Sequence, residues 1–258
     1  MTEKNNIITD YNEDPDNSPP FVMTESSRML LESIENLLGE LVSLAGLCPS
    51  DEEFRYKYMD FLNLYDRFQH EVINASGINT VCSAGCSHCC CHWVEDVNSF
   101  EGIIISRYLA EHHPDLIDFV IESFRQDEEV LESLCGLVEK KIAEYSSFTD
   151  DIPDKYDLLL SCFYQLERPC ALLDKNGRCI VYPVRSLTCR DYLNIRNSDA
   201  CLPDRINEEK EATLIMDISD KVSELLEILH RRFDYGDDNM SLRSLLVRYL
   251  EMRIKSSG

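Results

Sequence analysis

The stretch VCSAGCSHCCCHW, Val81 to Trp93, carries Cys82, Cys86, Cys89, Cys90 and Cys91, five thiols within ten positions. A thiolate is both a nucleophile and a soft-metal ligand, and spacings of two or three residues bring successive sulfurs back toward one point. Stepping about 100° per residue from Cys82 places Cys86, Cys89 and Cys90 near about 40°, 340° and 80°, and Cys91 near about 180°. Four sulfurs thus share a direction and Cys91 faces away. Gly85 is suited to breaking a helix, so the angles test direction rather than conformation. A run of buried small side chains would also use cysteine. Buried thiols gain nothing from adjacency, however, and Ser83, Gly85, Ser87 and His88 are poor core neighbours. His88 and His92 rank behind the thiols as ligands, because a histidine beside a cysteine site more often hydrogen-bonds around it.

A second region, RPCALLDKNGRCIVYPVRSLTCRDYLNIRNSDAC, spaces Cys170, Cys179, Cys189 and Cys201 more widely. Between Arg168 and Arg190 five cations (Arg168, Lys175, Arg178, Arg185 and Arg190) face Asp174 alone, inside a chain of formal charge −23. Such a contrast asks for a nearby anion. Four thiolates around zinc or a [4Fe–4S] cluster carry about two net negative charges, and adjacent guanidinium groups stabilise the thiolate form. Arg178, Arg185 and Arg190 are therefore expected to contact a metal–thiolate group. The competing expectation is that these arginines pair with surface carboxylates.

The string CxxxCxxCC from Cys82 to Cys90, followed downstream by Gly177-Arg178-Cys179, Tyr182, Arg185 and Cys189-Arg190, resembles the YkgJ family of cysteine-cluster proteins. The resemblance spans roughly Val81 to Cys201, with a long helical insert between its halves. It implies a zinc- or iron-chelating domain, with Cys82, Cys86, Cys89, Cys90, Cys170, Cys179, Cys189 and Cys201 as candidate ligands. The chain departs from the family pattern at Cys91, where histidine is common, at Ala171, where proline is common, and at Ser186, which replaces the proline of an Arg-Pro pair. Each expected thiol is retained. Cys48, Cys135 and Cys162 lie in or beside apolar helical patterns and are expected in the core.

Eight thiols exceed one four-coordinate zinc, yet would serve two zinc ions or two Cys₄ clusters. Adjacent cysteines flanked by arginine favour an iron–sulfur ([4Fe–4S]) centre, with a zinc-binding structural or adaptor module as the alternative. A third expectation is an iron–sulfur-dependent methyltransferase or S-adenosylmethionine enzyme. CxxxCxxC is the three-thiol pattern of radical S-adenosylmethionine enzymes, and the cysteine arrangement is similar to that of flagellin lysine N-methylase. Neither an alternating strand–helix pattern nor a transferase motif accompanies it. Glu101 is placed to act as a base near a metal, but helix capping explains it more simply.

The elements that must position these thiols are helical. Residues 1–24 are polar, acidic and proline-bearing and are expected to form a disordered tail ahead of a single helical domain over 25–258. Met29, Leu30, Ile34, Leu37, Leu38 and Leu41 recur at helical spacing, as do Phe54, Tyr58, Phe61, Leu62, Tyr65, Phe68 and Val72, predicting an antiparallel pair broken between Gly46 and Ser50. Asn98 and Glu101 predict a capping-box helix start. Further helices are expected from Pro114 to about Ser146, Pro153 to about Glu167, Glu208 to Phe233 and Ser241 to Ile254. Asn176-Gly177 between apolar flanks predicts a small β-hairpin, the one strand feature of a mainly α fold.

The charge of −23 repels phosphate backbones and anionic lipid surfaces, which argues against nucleic acid and membrane as partners. An acidic tail suits a protein partner. No apolar run has the length of a signal peptide or membrane span, and clustered thiols in a reducing compartment more often hold metal than form disulfides, so the expected location is cytoplasmic.

Overall fold

The computed structural model describes residues 21–44, 46–145, 154–195, 198–203, 213–216, 218–233 and 241–257. The described residues form a mainly α architecture of eight α-helices and two very short strands. Helix α1 (Glu25–Ser43) begins where the Thr24 hydroxyl accepts the Ser27 amide, a cap that contributes about 1 kcal/mol. Helix α2 (Glu52–Ala75) runs antiparallel to it. Thr24 at the start of α1 donates to Glu71 near the end of α2, while Glu40 near the end of α1 pairs with Lys57 near the start of α2. The aromatic stripe of α2 is wholly buried from Phe54 to Val72, because spacings of three and four put those side chains on one face.

Helix α3 (Ser99–His112) starts as its sequence predicts. The Glu101 carboxylate reaches back to accept the Asn98 amide at 3.0 Å. A single 3₁₀ turn at Pro114–Leu116 leads into α4 (Ile117–Tyr145), and α5 (Lys155–Tyr164) follows, capped by Asp154. Helix α6 (Leu187–Asp191) is a five-residue helix that sequence periodicity does not foretell. Helices α7 (Asp220–Phe233) and α8 (Leu242–Ser257) complete the bundle. One continuous apolar core runs from Ile34 on α1 to Leu250 on α8.

Three sequence expectations are revised. The tail expected over 1–24 yields its last four residues to the fold, since Phe21 and Met23 pack on the core and the Val22 amide donates to Ser76; residues 1–20 lie outside the description. The helix expected from Glu208 begins only at Asp220. Residues 204–212 are not described, strand β2 (Thr213–Leu214) pairs antiparallel with β1 (Leu193–Asn194), and Met216 and Ile218 bury alternate positions as extended chain does. The predicted hairpin is reduced to one antiparallel bridge between Leu173 and Cys179, with the turn at Gly177, whose φ is +73°.

Helices α3 and α8 touch at Gly102. A Cβ there would stand 3.0 Å from both Leu245 Cβ and the Tyr249 ring. Gly102→Ala should accordingly cost about 1–3 kcal/mol by forcing the two helices apart. Urea unfolding of the full chain measures this, with no change expected in the secondary structure seen by circular dichroism.

Candidate metal–thiolate site

The first cysteine segment leaves α2 through Gly77 and is pinned by a hydrogen bond from the Val81 amide to the Asn194 carbonyl of β1. Gly85, with φ +93°, turns the chain, and the Cys86 amide donates back to Ser83. His88–Cys91 then form a single 3₁₀ turn. The test conformation of a continuous helix is therefore not adopted, because a residue in the left-handed region cannot continue one.

The second segment meets the first through its backbone. The Cys170 amide donates to the Cys90 carbonyl at 2.9 Å, so the chain returns directly beneath the cysteine turn. A Cβ on Gly177 would lie 3.0 Å from the Gly85 carbonyl oxygen. Gly177 is thus required twice, once for positive φ and once for the approach of one loop to the other, whereas Gly85 is required for its positive φ. Half-buried Cys170, Cys179 and Cys189 pack on the apolar core beside Leu172, Val181 and Leu187. At the other edge, Asn194 donates its amide to Cys82 Sγ at 3.3 Å and its side-chain nitrogen to Cys201 Sγ at 2.9 Å.

Arg185 stands where the two segments join. Its Nη2 lies 4.0 Å from Cys89 Sγ. Burial works against its charge, but the thiols of Cys189, Cys89, Cys90 and Cys179 more than offset this and hold the guanidinium above its ordinary range. Among the described residues no carboxylate lies within ion-pair distance of it. A hydrogen bond from the Cys90 thiol holds Cys89 below the usual thiol range; burial opposes this and Arg185 reinforces it. Burial pushes Cys170 up to about 12 and raises Cys82, Cys179, Cys189 and Cys201. Cys89 is the one thiol of the set held well below the usual thiol range.

The other candidate cations behave differently. Arg190, 6% exposed, pairs with Asp66 of α2, donates to the carbonyls of Tyr182 and Arg185, and lies over the Tyr182 ring. It braces the backbone that carries Arg185. Arg168 pairs with Asp127. Arg178 is exposed, and its backbone amide is held by Asp174. The expected contact of three arginines with the thiols is therefore carried directly by Arg185, while Arg168 and Arg190 follow the competing expectation of carboxylate pairing.

All twelve cysteines are free thiols, so the two segments are not joined by disulfides. Among the described residues no group of three or more His, Cys, Asp or Glu side chains converges as a formed metal site. The thiols share one electrostatic neighbourhood without meeting at a point. Cys48, Cys135 and Cys162, expected in the core, are only half-buried, and Cys135 lies on α4 beside Glu139. His92 stacks on Tyr164 at 3.7 Å, and burial, followed by Arg243, lowers its pKa to about 4.

Glu101 is a strut as well as a cap. It is 1% exposed, and its Oε1 accepts the Tyr58 hydroxyl at 2.7 Å and the Leu187 amide at 2.8 Å, fastening the start of α6 to α3. Sequence reasoning missed Asn194, Ser186 and Arg243. Ser186 Oγ is buried without a hydrogen-bond partner of good geometry, although it lies close enough to Cys189 to favour the thiolate. Arg243 shares the core face of α8 with Leu246 and Leu250, three and seven positions on, and a cation at a core position is the signal that could have found it.

No family model, no curated protein and no solved structure matches the chain.

In the metal-free protein, alkylation by iodoacetamide should reach Cys89 first. Its thiolate forms below the usual thiol range, so its rate should rise at lower pH than that of an ordinary cysteine, while Cys170, pushed up to about 12, stays silent. Cys90→Ala and Arg185→Met should each move the Cys89 profile to higher pH, as peptide mass spectrometry at a series of pH values would show.

Proposed function

We propose that the two segments hold a metal–thiolate centre, most simply an iron–sulfur cluster, with candidate ligands drawn from Cys82, Cys86, Cys89, Cys90, Cys170, Cys179, Cys189 and Cys201. The observation that carries this reading is Arg185, a half-buried cation placed among thiols of both segments with no carboxylate beside it among the described residues. Neutral thiols do not answer that charge. Thiolates on a metal do.

The donor set fits such a group. Among the described residues, the buried Ser186 Oγ lies close to Cys189 without a hydrogen bond of good geometry. A buried donor left unpaired costs about 1–3 kcal/mol, and an anionic sulfur is an acceptor that would relieve it. Because the side chains do not converge as they stand, binding must turn the sulfurs inward by rotation about their short side chains. The adjacent pair Cys89 and Cys90, together with the arginine, favours a multi-iron cluster over a single zinc ion. When bound, such a cluster supplies one-electron chemistry, whereas zinc supplies a cross-link. Zinc remains the second reading because the loops between α2 and α3 and between α5 and α6 have little regular structure to order them.

The resemblance to the YkgJ cysteine-cluster family supports the same assignment, and the acidic surface supports a protein partner rather than nucleic acid. No helix among the described residues is long and apolar enough to cross a membrane.

Anaerobic purification with metal analysis and a visible spectrum tests the reading. Brown protein containing iron and sulfide is expected. Colourless protein with stoichiometric zinc would select the cross-link reading, and protein that takes up neither metal would overturn both. Cys89→Ser and Cys179→Ser should lose metal, whereas Cys135→Ser, half-buried on α4 outside both segments, should retain it. Chelation should lower stability by about 4 kcal/mol if the metal is present at a thousand times its Kd.

A further inference from the structure

Asn194, only 3% exposed, commits three polar atoms to the rim of the cysteine region. Its carbonyl accepts the Val81 amide at 3.0 Å. Its own amide donates to Cys82 Sγ at 3.3 Å, and its Nδ2 donates to Cys201 Sγ at 2.9 Å. Two sulfurs from opposite ends of the cysteine region therefore rest on one buried residue. The Tyr164 hydroxyl donates to the Cys201 carbonyl and fixes the 3₁₀ turn, Ser198–Cys201, that carries it. Cys82 is the exposed member of the pair, in a loop whose residues 81–85 all face solvent.

The pair differs from Cys170, Cys179 and Cys189 in access. Those three rest on the apolar core, whereas an open cleft of about 690 Å³ lies beside the rim, lined by Val81, Ser83 and Cys86 from the loop and by Ser198. Cys82 lies between two of the lining residues, and Ser198 begins the turn that ends at Cys201. The cleft has room for a tripeptide. An amide N–H directed at sulfur favours the thiolate, and the two Asn194 donors oppose the burial that disfavours it at Cys82 and at Cys201. Exchange chemistry needs this combination of paired sulfurs, donors and an approach from solvent.

We infer that Cys82 and Cys201 form a thiol–disulfide exchange site for a small-molecule disulfide of glutathione size, with Asn194 as the positioning residue for both sulfurs. The Cys82 thiolate attacks one sulfur of that disulfide, whose S–S bond breaks and releases a thiolate that takes up a proton. The Cys201 thiolate then attacks the Cys82 sulfur of the mixed disulfide and displaces the second thiol. Two protein thiols are oxidised to one disulfide, and the small disulfide is reduced to two thiols. Exposure sets the order, because Cys82 faces solvent and Cys201 is half-buried. The exposed loop over 81–85 closes the remaining separation. The inference is independent of the metal reading, which keeps Cys86, Cys89, Cys90, Cys170, Cys179 and Cys189 as candidate ligands.

The test uses the full chain and glutathione disulfide, with samples quenched by alkylation and mapped by peptide mass spectrometry without reduction. The adduct on Cys82 should be transient and give way to a Cys82–Cys201 disulfide that dithiothreitol reverses, while any adduct on Cys135, on α4 outside both segments, persists. Cys201→Ser should leave glutathione on Cys82. Asn194→Asp keeps the side-chain size and the backbone donor to Cys82 but removes the donor to Cys201. The first step should then keep its rate and the second should slow about 10-fold. Both steps slowed alike would overturn the role given to Asn194. A mixed disulfide that persists on Cys82 in wild type, a cross-link from Cys82 to a thiol other than Cys201, or no reaction at Cys82 would overturn the exchange site.

Discussion

A guanidinium partly withdrawn from water favours nearby negative charge, and at half-buried Arg185 the groups that surround it are sulfurs. Partial desolvation of an ion is unfavourable, so such an arginine with no carboxylate beside it among the described residues favours an anion carried by something else. Other parts of the fold serve this placement. Arg190 bonds the Arg185 carbonyl and is itself tied to Asp66 of α2, so the longest aromatic face of the bundle fixes the loop that presents Arg185. Glu101 holds the start of α6, and with it Cys189, against α3.

The arginines around the cysteines divide by their partners. Arg190 and Arg168 each have an aspartate and act as ties between elements. Arg243 shares its aspartate with Arg168 and keeps one nitrogen uncommitted. Arg185 has thiols in place of a carboxylate. In a chain with 48 acidic residues, the lack of a paired carboxylate at Arg185 among the described residues does not follow from composition. The thiols divide as well. Cys170, Cys179 and Cys189 rest on the apolar core, whereas Cys82 and Cys201 are held at the rim by Asn194, so the group has a dry floor and a wetter edge.

Much of the scaffold was legible in the sequence where burial imposes a period. The stripe from Phe54 to Val72 and the pair Asn98 and Glu101 announce α2 and the start of α3 through local rules, and Asn176-Gly177 announces the turn between Leu173 and Cys179. Helix α6 was not legible because five residues are too few to show a period; tertiary hydrogen bonds from the Leu187 amide to Glu101 and from Arg190 to Asp66 hold it. The strand at Thr213–Leu214 was absorbed into a helical expectation because alternation over so few residues is weak beside the stronger pattern of α7.

Within the site, clustering of thiols and the excess of arginine between Arg168 and Arg190 were properties of the chain itself, since they depend on residue type and spacing alone. Which arginine meets sulfur and which meets aspartate was decided by packing. Asp66 comes from α2 and Asp127 from α4, over a hundred positions from Arg190 and over forty from Arg168, and no local pattern encodes those distances. The sequence determined by itself a helical fold carrying two thiol-rich segments, because periodicity and cysteine spacing are local. Only the tertiary structure brought Cys90 against Cys170 and Arg243 against the His92 carbonyl, because those contacts depend on how separate helices bury a common core.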